Sequence, residues 1–249
     1  MGPIVGKVNG ETTLSDDTDL AALAQACNAD LGNPDLWFTP GGYPGSLALC
    51  IIDSIYSTGA RYSSVVDIVG RYRQYRAECG GDADTDGTDE LASTIADLGG
   101  PDPWATRIGN RRPTSTSAGA PLKAAAIAAL TVALPEHGVR TTDDLRSVAA
   151  RPEALKVIER AWRATPGQRS GITWTYALML AQIPGVKADR MVIRYVARAI
   201  GVRTETVSSD RAAHLVSRLA EAKGWNTIHL DHAIWRFESG RPFQGSDEN

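Results

Sequence analysis

Asp210 and His214 lie four residues apart, so on a helix they share one face and the imidazole can reach the carboxylate or a nearby phosphate. The run Val207-Ser208-Ser209-Asp210 suits a helix N-terminus, which leaves Asp210 two roles: capping backbone N–H groups, or stabilising a developing positive charge and taking a proton from water. A second arrangement is Pro184-Gly185-Val186-Lys187, a tight turn followed by a helix start. Backbone N–H groups there can face outward, and Lys187 and Arg190 add positive charge, which together make a cradle for a phosphate. The competing reading is an ordinary turn between packed helices. His229, Asp231 and His232 open an apolar helix with Ile234, Trp235 and Phe237, a spacing that fits packing and capping better than metal ligation. The three cysteines, Cys27, Cys50 and Cys79, share no CxxC spacing, so no metal or iron–sulfur site is expected.

The elements that position these residues read as helices throughout. Period-3.6 apolar patterns with capping and breaker residues predict helices over 15–29, 47–56, 62–76, 90–98, 104–108, 121–134, 142–149, 152–164, 171–182, 188–200, 208–223 and 227–238. No alternating strand pattern and no internal repeat interrupts them, so the expected class is all-α. The apolar share of 43% and charged share of 22% are those of a globular protein of 249 residues. The apolar runs fall short of a membrane span, and the opening residues show no secretory pattern, so the expectation is a soluble, cytoplasmic protein with no membrane partner. The net charge of −3 is unevenly spread: 78–102 is acidic, whereas 187–218 holds Lys187, Arg190, Arg194, Arg198, Arg203, Arg211 and Arg218 against Asp189, Glu205 and Asp210. That segment is the expected anion-binding face.

Ile183-Pro184-Gly185-Val186, a helix behind it, and then Asp210 at a later helix start resemble the helix-hairpin-helix DNA glycosylase superfamily. The segment Leu47 to Val65, LALCIIDSIYSTGARYSSV, also resembles that family's early helix and the loop after it, which enters the duplex. Together these cover roughly half the chain. The resemblance implies a two-lobed helical fold, with one lobe over 46–200 carrying the hairpin at about 171–200, and a second made of 1–45 and 201–249. It implies double-stranded DNA as partner, with no obligatory protein partner. It further implies hydrolysis of the N-glycosidic bond of a flipped base, in base excision repair or in defence against phage with modified DNA; a non-catalytic DNA-binding module with the same hairpin is the alternative.

The roles implied by the resemblance are residue-specific. Asp210 is the catalytic carboxylate; Gly185, Val186, Lys187 and Arg190 hold the DNA backbone. Gly59, Arg61 and Tyr62 form the duplex wedge, with Tyr56 and Trp174 as pocket aromatics. Asn110, Arg111 and Arg112 in the loop NRRPTSTSAG, and His214, add DNA contacts. Three departures have consequences. Lys187 stands where the family often has a second hairpin glycine, and Gly201-Val202-Arg203-Thr204 lacks the proline of the family's loop before the aspartate. Asp189 stands where bifunctional members carry the Schiff-base lysine, so the implied enzyme is monofunctional. No cluster, metal or nucleotide cofactor is expected.

Overall fold

The computed structural model describes residues 10–38 and 41–244, with side chains from residue 16 onward. Helices make up the described chain: α1 (Gly10–Leu31), α2 (Leu47–Tyr56), α3 (Tyr62–Glu78), α4 (Thr88–Asp97), α5 (Pro101–Arg107), α6 (Lys123–Ala133), α7 (Thr142–Ala149), α8 (Pro152–Ala164), α9 (Ile172–Leu180), α10 (Arg190–Ala199), α11 (Ser209–Lys223) and α12 (Thr227–Glu238). Among the described residues there is no strand, only the isolated bridges Trp37 with Gln244 and Pro113 with Leu122. The all-α reading therefore holds.

The chain forms two compact units, one from residues 1–40 and 184–249, the other from 41–183. The lobes expected from the resemblance divided at 45/46 and 200/201. Their division moves to 183/184 because α10 packs on α1, α11 and α12, whereas α9 packs on α2 and α8. The two helices flanking the Pro-Gly-Val turn thus belong to different units.

The unit spanning 41–183 is built around α2, all ten of whose residues are buried. Its sequence, LALCIIDSIY, is apolar around nearly the whole circumference, so it stabilises only when surrounded. It contacts α3, α4, α6 and α9. Ser46 caps it, its Oγ accepting from the Leu49 amide at 3.1 Å while donating to the Asp86 carbonyl at 3.0 Å. Asp86 in turn accepts from the Arg76 guanidinium at 2.6 Å and the Tyr72 hydroxyl at 2.7 Å, a buried pair with its remaining valences satisfied.

In the other unit, α11 buries Ala212, Leu215, Val216, Leu219 and Ala220, the i, i+3, i+4, i+7, i+8 stripe of an amphipathic helix. α10 buries Val192, Tyr195 and Val196 and turns Arg190, Arg194 and Arg198 outward. Helix ends differ from expectation where caps intervene. α10 starts at Arg190, not 188, because the Asp189 carboxylate accepts from the Met191 and Val192 amides at 2.8 and 3.3 Å. α9 stops at Leu180 because Gln182 takes a left-handed conformation (φ 61°), with the Ile183 amide donating back to the Leu178 carbonyl at 2.9 Å.

The burial of α2 has a direct consequence. Ile52→Ala, at a fully buried position, is expected to cost about 2–5 kcal/mol by chemical denaturation. Val132→Ala, 61% exposed on α6, is expected to change stability by less than about 0.5 kcal/mol. Equal effects would show that α2 is not the core of its unit.

Candidate functional site

Asp210 is the second residue of α11 and is exposed. The cap is Ser208, whose Oγ accepts from the Arg211 amide at 3.1 Å. Asp210 therefore has no hydrogen-bond or ion-pair partner among the described residues, and His214, also exposed, forms no bond with it.

The turn ahead of α10 uses most of its polar groups internally. The Ala188 amide donates to the Val186 carbonyl at 3.0 Å and the Asp189 amide to the Lys187 carbonyl at 2.6 Å. The Lys187 amide donates to the carboxyl of Asp231 on α12. Among the described residues, the amides of Gly185 and Val186 are left without partners, and so is the exposed guanidinium of Arg190. One part of the expected cradle is corrected: Asp189 caps α10, so the first-turn amides and the dipole of that helix are offset by its own chain.

The basic face expected over 187–218 is corrected as well. Arg194 pairs with Glu238, Arg198 with Asp30 at 2.9 Å, Arg211 with Asp19, and Arg218 with Asp17 at 3.2 Å. Three of these four acids come from α1, far away in sequence, which is why a count within the segment overstated its free charge.

In the other unit, two groups of expected site residues converge. Tyr56 Oη donates to the Asn110 carbonyl at 3.3 Å and accepts from the Asn110 amide at 3.4 Å. Arg112 Nη1 donates to the Gly59 carbonyl at 3.2 Å. Gly109 has no room for a side chain, because a Cβ there would lie 2.3 Å from Tyr56 Oη. The 110–112 loop thus braces the turn after α2, with Arg112 exposed and Arg111 paired to Asp102 at 3.0 Å. Gly59, Arg61 and Tyr62 are exposed.

Tyr56 and Trp174 are not pocket aromatics. Tyr56 is buried and stacks on Trp104, with ring centroids 6.3 Å apart. Trp174 is buried against Trp162 at 5.5 Å. Both rings pack in the core, where their apolar area is worth most.

Two buried polar groups lie beside this turn. Lys123, at the start of α6, sends its ammonium to the Tyr56 carbonyl at 3.2 Å and the Thr58 carbonyl at 2.6 Å, closing the C-terminal end of α2. Burial, with Arg112 nearby, lowers its pKa to about 8. Asp53, inside α2, accepts from the hydroxyls of Tyr43, at 2.9 Å, and Tyr176. Burial and this carboxyl push both phenols well above their ordinary range. The signal available for Asp53 was a single acid inside an otherwise apolar run.

Among the described residues, no group of three or more His, Cys, Asp or Glu side chains is placed to hold a metal ion. No described helix is long and apolar enough to cross a membrane.

Fold and site together define an all-helical protein of two units, one carrying an amide-bearing turn and an unengaged carboxylate, the other a braced, exposed loop. The chain matches the domain of unknown function DUF8548 over residues 21–239 and belongs to that family. No curated protein and no solved structure matches it.

Lys123 makes stability depend on pH with a definite sign. Its folded pKa of about 8 lies below the ordinary 10.5, so between these values the unfolded chain binds the extra proton. Stability contributed by this group is expected to rise as pH goes from about 8 to 10.5, and Lys123→Met to flatten that rise in thermal melts across the range. Parallel profiles for the two proteins would place Lys123 in water.

Proposed function

We propose that this protein is a monofunctional DNA glycosylase of the helix-hairpin-helix kind, hydrolysing the N-glycosidic bond of a flipped base to leave an abasic site. The observation that carries this reading is the division of labour at the start of α11. Ser208 does the capping, so the Asp210 carboxylate is exposed and unengaged. A carboxylate free of structural duty suits a reaction in which the bond electrons leave with the base and positive charge develops on the sugar. Asp210 stabilises that charge and takes a proton from the water that attacks the anomeric carbon.

The free amides of Gly185 and Val186, with Arg190 beside them, support phosphate binding at the turn. The exposed Gly59–Tyr62 loop, braced by Arg112 and Lys123, supports a duplex-entering role, because a wedge must be stiff to hold two bases apart. With most α10 and α11 cations already paired, few phosphates are neutralised. Binding accordingly weakens only modestly with salt.

The test incubates wild type and Asp210→Asn with duplexes carrying damaged bases and with modified phage genomes, then cleaves abasic sites with alkali. Asp210→Asn is expected to lower abasic-site formation by about 10²-fold or more while leaving the melting temperature nearly unchanged. The slope of log affinity against log salt is expected near −2 to −3, the value for two or three phosphates. Duplex retention without alkali-labile sites on any substrate would replace the enzyme by a DNA-binding module, and equal activity of the two proteins would remove Asp210 from the chemistry.

A further inference from the structure

Asp231 lies in the middle of α12, in the run Ile228-His229-Leu230-Asp231-His232-Ala233-Ile234, and only 5% of it is exposed. One carboxyl oxygen has no partner among the described residues, while the carboxyl accepts from the Lys187 amide in the turn ahead of α10. An ionised carboxylate in that setting would leave a charge largely unsolvated. Burial accordingly drives its pKa well above the ordinary range, with Lys187 opposing and Asp189 adding to that effect. The charged side chains of α1, α10 and α11, the helices packed on α12, include Asp17, Asp19, Asp30, Arg194, Arg198, Arg211 and Arg218, which are engaged in the surface ion pairs described above. A helix that packs through Leu230, Ala233 and Ile234 would be stabilised by an apolar residue at this position, so the carboxyl serves something other than packing.

Its contact identifies what it serves. The turn has few amides to spare: those of Ala188 and Asp189 close onto the preceding carbonyls, and Pro184 has none. The Lys187 amide is the one that Asp231 anchors. We propose that Asp231 is the positioning residue of the hairpin, fixing the backbone at Lys187 so that the neighbouring amides of Gly185 and Val186 stay free for a DNA phosphate. This rests on the phosphate-binding reading of the turn given above. Keeping the carboxyl uncharged suits the task, because an anion directly behind the turn would repel the phosphate that the turn receives.

The experiment uses the full chain and reads two quantities: exchange of the Lys187 amide without DNA, and affinity for a labelled unmodified duplex over a salt series. Asp231→Asn keeps a neutral acceptor of the same shape, and is expected to preserve both the slow exchange and the affinity. Asp231→Leu removes the acceptor. Exchange at Lys187 is expected to accelerate about tenfold and duplex affinity to fall by a similar factor, the equivalent of one hydrogen bond. The salt slope is expected to stay at the wild-type value, because no cation is lost. If Asp231→Leu does not fold, Asp231→Ala removes the carboxyl without adding bulk and is read in the same way. Unchanged exchange in the Leu or Ala variant, or an Asn variant that behaves like them, overturns the proposal. Exchange that responds as expected in a protein that binds no duplex overturns the DNA reading of the turn while leaving the Asp231–Lys187 link standing.

Discussion

A helix buried around its whole circumference has nowhere to find water for its terminal polar groups, and α2 imposes that constraint on the whole unit spanning 41–183. Its start is closed by Ser46, which is itself tied to the Asp86 carbonyl, and Asp86 brings in Arg76 and Tyr72 from α3. Its end is closed by Lys123, the first residue of α6. The chain between Ser57 and Arg61 must therefore leave α2 past an ammonium that holds the carbonyls of Tyr56 and Thr58. The same end is braced from a second side, by Arg112 at Gly59 and by the Asn110 backbone at Tyr56 Oη. The exposed loop before α3 is thus tied back at the Thr58 and Gly59 carbonyls.

The unit built from the two ends of the chain solves a different problem. α10 and α11 each bury one face and turn a row of arginines outward, and α1 meets that row with Asp17, Asp19 and Asp30. Exposed pairs of this kind contribute only about 0–1 kcal/mol each, so they do not hold the unit together; the apolar stripe of Leu215, Val216 and Leu219 against Val192, Val196 and Ile234 does. Their larger effect is on the surface potential. A segment rich in arginine becomes nearly neutral once folded, and any anion site there depends on the few cations left over, Arg190 among them.

The helices were legible in the sequence because period and caps are local properties: the stripes of α10 and α11, the apolar run of α2 and the Ser208–Asp210 start of α11 all lie within a few positions of what they stabilise. What could not be read was set by contacts across long separations. Arg198 meets Asp30, Lys123 meets Thr58 and Asp231 meets Lys187, and nothing near either partner announces the other. Trp174 and Tyr56 looked available because aromatic type says nothing about which way a ring faces. The division between units moved from 200 to 183 for the same reason, since which neighbours α10 joins depends on α1, 168 residues earlier by the Asp30–Arg198 pairing. The loop over 110–112, read as a DNA contact, instead contacts Tyr56 and Gly59, another meeting of residues distant in sequence.

The three aspartates show how burial sorts one residue type into different duties. Asp53 lies inside a buried helix and accepts from two tyrosines, so its place is set by the fold. Asp231 is equally buried but meets a backbone amide, which gives it influence over a turn at the surface of the molecule. Asp210 is exposed at a helix start that another residue caps, and its carboxylate makes no contact that folding requires. A buried acid must be satisfied by the fold or lose its charge, and in either case it is committed before any ligand arrives. Of these three, only Asp210 is left by the fold without a contact among the described residues.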